Sequence, residues 1–75
     1  MNEKFICGGI AYTAEGDIEF EVYGTEEENG DTTIRVYEDG EFVENETLYI
    51  ESAEDVENWL AYWYSCDIEL TDIAD

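Results

Sequence analysis

Polar and apolar residues alternate along the first two thirds of the chain, and turn-forming residues divide the alternation into four segments. It is cleanest from Asp17 to Tyr23, where Ile18, Phe20 and Val22 face one way and Asp17, Glu19, Glu21 and Tyr23 the other. Residues 4–13 precede it as a first strand. Asp31 to Glu38 follows, with Ile34 and Val36 on one face and Thr33, Arg35 and Tyr37 on the other. Residues 41–50 make a fourth strand whose imperfect alternation predicts a bulge near Glu44 and Asn45. The breaks are Ala14-Glu15-Gly16-Asp17, the acidic loop from Glu26 to Asp31 closing on Asn29-Gly30, and Asp39-Gly40, a strong hairpin signal. A two-residue Asp39-Gly40 turn places Val36 opposite Val43 and Arg35 opposite Glu44 as a cross-strand ion pair.

The period then changes. Ser52 is a good N-cap, with Glu54 and Asp55 in the first turn, where the helix dipole favours negative charge. Val56, Trp59, Leu60 and Trp63 follow at helical spacing, so a helix from about Ala53 to Ser65 lays both tryptophans on the sheet. Tyr62 and Tyr64 lie off that stripe. In the tail, Asp67 to Asp75, Ile68 and Leu70 alternate with acids, the pattern of a short fifth strand or a loosely docked end. The expected fold is α+β: a four-stranded antiparallel sheet of two hairpins with one C-terminal helix on one face, a single domain over residues 1–75. The other face is free to carry Tyr12, Glu19, Glu21, Tyr23, Tyr37 and Glu44.

Charge changes the picture from a small domain to a specialised one. Twenty-two acids stand against two cations, Lys4 and Arg35, giving a formal net charge of −20 on 75 residues. With 44% hydrophobic and 15% aromatic residues, the chain has the means to fold that acidic tails lack. Solubility needs a net charge of magnitude only about 2–8 in a small domain. Fifteen Glu against one Lys make the bias one of charge and not of A-rich codons. Halophilic adaptation is the bland alternative, but Glu outnumbers Asp about two to one and Ile and Tyr are plentiful.

Candidate chemistry is sparse. The chain has no histidine, hence neither the commonest general base nor the commonest metal ligand. Two distant cysteines do not make a structural zinc site. Gly8-Gly9 is a lone pair within a strand, expected at a bulge or a close contact with the helix. Setting Gly30 or Gly40 at the sixth position of an EF-hand loop puts Thr25 or Arg35 first, and both registers fail. No catalytic residue, metal or cofactor is expected. No signal peptide or spanning run is visible, so a cytoplasmic protein with Cys7 and Cys66 reduced is expected; a disulfide between them requires strand 1 and the helix end to come close.

Carboxylates two apart on a strand face are separated by about 6.6 Å, close to the phosphate spacing along one nucleic-acid strand. Glu19 with Glu21 and Glu44 with Glu46 have this spacing, the face used by the latter pair depending on the expected bulge, and the 26–31 loop and 38–41 turn extend the charge. The candidate partner-binding residues are therefore Glu19, Glu21, Glu26, Glu27, Glu28, Asp31, Glu38, Asp39, Glu41, Glu44 and Glu46, with Glu54, Asp55 and Glu57 as second choices. In size and charge the whole chain resembles the small acidic inhibitors of phages and mobile elements: anti-CRISPR proteins, anti-restriction proteins and inhibitors of uracil-DNA glycosylase. The resemblance carries no sequence motif. It implies a DNA mimic, monomeric or a weak homodimer, acting in the host bacterial cytoplasm. The mimic would occlude the groove of a basic nucleic-acid-binding protein such as a CRISPR effector, a restriction enzyme or another DNA-targeting nuclease. It would contact neither nucleic acid nor membrane directly. The rivals are an immunity protein or antitoxin covering a basic nuclease, and a halophilic acidic module.

Overall fold

The alternation does build strands, and the tail adds one. In the computed structural model, which describes residues 3–74, the elements run β1 (Lys4–Thr13), β2 (Gly16–Glu26), β3 (Thr32–Glu38), β4 (Glu41–Leu48), α1 (Ala53–Tyr64) and β5 (Asp67–Ile73). All strand pairs are antiparallel, and the sheet order is β4-β3-β2-β1-β5. The fold is α+β, as expected, but the sheet has five strands and not four. The fifth comes from the tail and pairs with β1, so the helix is a crossover from one edge of the sheet to the other.

The turns follow their residue chemistry. Asp39 (φ 55°) and Gly40 (φ 85°) both take the left-handed conformation that a two-residue hairpin turn demands. The 27–31 loop closes through Glu27 N–H to the Asp31 carbonyl (2.8 Å), while Asn29 Oδ1 accepts from Asp31 N–H (3.0 Å). The Asp55 carboxylate accepts the N–H groups of Glu51 (2.8 Å) and Ser52 (3.4 Å), which closes the start of α1. Ser65, expected as the last helical residue, instead turns left-handed (φ 57°) and releases the chain into β5.

Cys7, Ala11, Phe20, Val22, Ile34, Val36, Val56 and Leu60 form the buried core, with Ile18, Leu48, Trp59, Ile68 and Leu70 packed around it. Two aromatic expectations are corrected. Trp63 is half-buried and stacks on Trp59 (5.9 Å, 6°) without joining the residues packed on the core. Tyr64 takes that place, lying against Phe20 (5.8 Å) and donating its hydroxyl to Glu38 (2.6 Å). The last turn of α1 sits over β2 and β3 through this side chain.

The β4 register also differs from expectation. The bulge falls at Val43, one residue early: Tyr37 faces Phe42, while Val36 faces Glu44 and Arg35 faces Asn45. Directly paired residues share a face, so Glu44 and Glu46 lie on the helix side of the sheet, opposite Val36 and Ile34. The Arg35–Glu44 ion pair does not form; Arg35 pairs with Glu3 at 2.9 Å.

Gly8-Gly9 mark a bulge, but the close contact is with β5 and not with the helix. The β1–β5 register shifts between the two glycines, and a Cβ on Gly9 would fall on the Glu69 carbonyl oxygen. A backbone atom cannot swing aside, so Gly9→Ala is expected to push β5 off the sheet and to destabilise the fold by about 1–3 kcal/mol. Hydrogen exchange of the 68–72 amides reads the displacement directly: unchanged protection there contradicts it.

Candidate nucleic-acid-mimic surface

With β5 beside β1, the face away from the helix becomes an ordered lattice. Register places Asp17, Glu19 and Glu21 of β2 opposite Tyr12, Ile10 and Gly8 of β1. On the far side of β1 the same three residues face Asp67, Glu69 and Asp72 of β5. The result is two rows of carboxylates flanking a central strand. Within the β2 row the acids stand about 6.6 Å apart, and the rows are separated by two strand spacings, about 9.6 Å. The β5 register shift leaves Thr71 without a partner and brings Asp72 back into line after Glu69.

The β5 row and Asp17 are functional candidates that the sequence argument missed. Alternation already put Asp17 on the same face as Glu19 and Glu21, and acids already alternated with Ile68 and Leu70. What was missing was the neighbour of β5, which no local pattern specifies.

The sequence-derived candidates divide into separate groups. Glu19 and Glu21 belong to the double row. Glu38 faces Glu41 across the turn, and both line a shallow cleft with Asp17, Glu19 and Asp39. Asp39 also reaches a depression of about 350 Å³ over Gly8, walled by Phe5, Glu19, Glu21 and Asp72. Glu26, Glu27, Glu28 and Asp31 sit at the opposite end of β2. There Glu27 accepts from the Thr33 hydroxyl (2.7 Å) and Asp31 from the Asn29 amide (3.4 Å). Glu44, expected on the free face, and Glu46 are on the helix side, so the structure does not bring them to the double row. Of the second choices, Asp55 is held in the helix start, and Glu57 is half-buried on α1.

Aromatic side chains interleave the acids. Phe5, Tyr23, Tyr37 and Phe42 cross four strands in an unbroken row of edge-to-face contacts, with centroid distances of 5.5, 5.6 and 5.9 Å. Tyr12 stands between the carboxylate rows and donates to Glu69, and that hydrogen bond, with smaller contributions from burial and from the Glu69 and Asp17 charges, raises its phenol pKa. Beyond the aromatic row hydroxyls replace the carboxylate rows: Thr33 shares a hydrogen bond with Thr47 (2.8 Å) and donates to Glu27 (2.7 Å), and Arg35 is occupied by Glu3 and Thr25.

Both thiols are free, Cys7 buried and Cys66 half-buried. Burial, with the Glu57 charge, pushes the Cys7 thiol up to about 11. Among the described residues no group of three or more His, Cys, Asp or Glu side chains is arranged to hold a metal ion, and no helix is long and apolar enough to cross a membrane.

No protein-family model matches the chain, and neither a curated protein nor a solved structure resembles it significantly.

Carboxylates about 6.6 Å apart repel each other strongly at 0.01 M salt, where the screening length is about 30 Å, and weakly at 1 M, where it is about 3 Å. The protein is expected to fold cooperatively at low salt and to gain about 5–10 °C in melting temperature by 1 M NaCl; a chain unfolded below molar salt would instead mark a halophilic surface. Tyr64 is held protonated first by burial and then by its bond to Glu38, so its pKa is raised. That stabilisation is fully present below the unfolded phenol value, about 10, and is lost as pH rises beyond it, because the unfolded chain then ionises first. Urea midpoints at pH 8 and pH 11 should fall more for wild type than for Tyr64→Phe, which itself loses about 1 kcal/mol at pH 8.

Proposed function

We propose that this chain is a DNA-mimic inhibitor: it occupies the nucleic-acid-binding groove of a basic host protein, presenting carboxylates where phosphates would sit. The observation that carries this is the double row Asp17–Glu19–Glu21 and Asp67–Glu69–Asp72 on the uncovered sheet face. A basic groove recognises a nucleic acid largely through regularly spaced negative charge, and paired strands supply such spacing rigidly.

Overall dimensions support the same reading. The protein measures 38 × 21 × 21 Å. A 38 Å length of duplex, at one charge per 1.7 Å of axis, carries about 22 phosphates; this chain carries a net charge of −20, of which the double row is the part gathered on one face. Of the possible targets, a DNA-targeting defence nuclease, foremost a CRISPR effector, fits best a small acidic protein whose value lies in blocking such a groove inside a bacterial cell. Restriction enzymes are the next class. The inhibitor acts as a monomer or weak dimer and needs no chemistry of its own.

An immunity protein for a basic nuclease is the second reading, and the aromatic row favours it, because tight, toxin-specific interfaces centre on aromatic anchors. The two differ in salt and DNA response. The protein as bait in bacterial lysate at low salt, eluted with rising salt and then with duplex DNA, is expected to release a DNA-binding nuclease or CRISPR complex when DNA is added. A partner that ignores both eluents contradicts mimicry. With the target in hand, neutralising Asp17, Glu19 and Glu21 together (D17N/E19Q/E21Q) should weaken binding roughly a hundredfold, at about 1 kcal/mol each. The pair E44Q/E46Q, on the helix side, should change it little.

A further inference from the structure

The aromatic row adds something a phosphate mimic does not require. Phe5, Tyr23, Tyr37 and Phe42 lie on the sheet face that α1 leaves uncovered, and Phe42 at the end is 51% exposed. Successive rings meet at 72°, 89° and 69°. Each contact sets the positive edge of one ring on the negative face of its neighbour, so the inner rings share their faces and Phe42, last in the row, keeps open ring surface. Tyr37 beside it lies directly opposite Glu21, which brings the row against the carboxylates.

The two features meet at Gly8. Its missing side chain leaves the depression between Glu21 on β2 and Asp72 on β5. Gly8 is buried at the floor of this depression, and a Cβ placed there would lie 3.2 Å from the Phe20 carbonyl oxygen, 3.6 Å from the Phe5 ring and 3.8 Å from the Glu21 side chain. The depression thus has an aromatic wall and an anionic wall on each flank, and its volume of about 350 Å³ admits a guanidinium. The protein's own guanidinium does not fill it, since Arg35 is tied to Glu3 (2.9 Å) and Thr25 (3.4 Å).

We propose that the aromatic row and the Gly8 depression form a receptor for arginine side chains of the partner, one guanidinium seating over Gly8 between Glu21 and Asp72 and others lying against Tyr37 and Phe42. Charge complementarity selects a cation for this face. The rings select arginine over lysine, because a planar guanidinium stacks on an aromatic face and forks to carboxylates, whereas an ammonium is a strongly hydrated point charge. This deepens the proposed function: it names the side chains by which a basic groove would be gripped, so that the inhibitor favours arginine-lined grooves over lysine-lined ones of equal charge.

The test uses fluorescently labelled nona-arginine and nona-lysine, titrated with the intact protein at 150 mM NaCl and followed by anisotropy. Wild type is expected to bind nona-arginine roughly tenfold more tightly. Tyr37→Leu with Phe42→Leu should bring the ratio down to about two, both peptides still binding through charge alone, while Tyr37→Phe, which keeps the ring, should retain it. Phe42→Leu alone, at a half-exposed position, should lower the ratio partway and keeps the test open if the double variant does not fold. Equal affinities in wild type, or a ratio unmoved by either leucine variant, overturn the proposal. Neither result touches DNA elution in the pull-down, and a partner that ignores DNA leaves the peptide ratio unaffected, so the two ideas fail separately.

Discussion

The fit of β5 against β1 across Gly9 is the contact on which the rest of this structure depends. It closes one edge of the sheet, sets α1 as a crossover and supplies the second row of carboxylates. A side chain at Gly9 would collide with the β5 backbone at Glu69. Without this strand, Ile68 and Leu70 would leave the periphery of a core that has eight buried hydrophobic side chains among the described residues, and β1 would become an open edge. A chain this short has little apolar burial to spare, so a peripheral strand matters more here than in a larger domain.

Charge is the opposing constraint. The fold separates part of it from apolar area by face: the helix side holds the core, while Asp17, Glu19, Glu21, Asp67, Glu69 and Asp72 point away from it. Where acids do fall on the helix side they are accommodated locally. Glu38 receives the Tyr64 hydroxyl, and Glu44 and Glu46 lie on the edge strand β4. Acids on both edge strands also discourage pairing with a further chain, in keeping with the proposal that the uncovered face, and not the edges, meets the partner.

The uncovered face is graded. Carboxylates crowd the β2-β1-β5 half, aromatic rings cross the middle, and hydroxyl pairs with the occupied Arg35 fill the rest. For the basic groove proposed as partner, such a gradient would give an orientation as well as an attraction: charge alone would allow the groove to slide, whereas rings at one boundary of the charged region would define where docking stops.

Period and turn chemistry by themselves determined the first four strands, the Asp39-Gly40 turn, the helix and its start, because these depend on neighbours a few residues apart. They also put Glu19, Glu21, Tyr23 and Tyr37 on one face. Only tertiary structure decided the rest. The bulge at Val43 moved Glu44 to the helix side, since one extra residue inverts every side chain after it. Tyr64 displaced Trp63 from the core because the helix meets the sheet along a line that residue spacing alone does not specify. The double row itself required Asp67, Glu69 and Asp72 to find Asp17, Glu19 and Glu21 across β1, a pairing over about 50 residues of sequence. Local pattern can show that a segment is a strand with acids on one side; which strand it lies beside is settled by where the helix crossover delivers it and by the one glycine that lets it in.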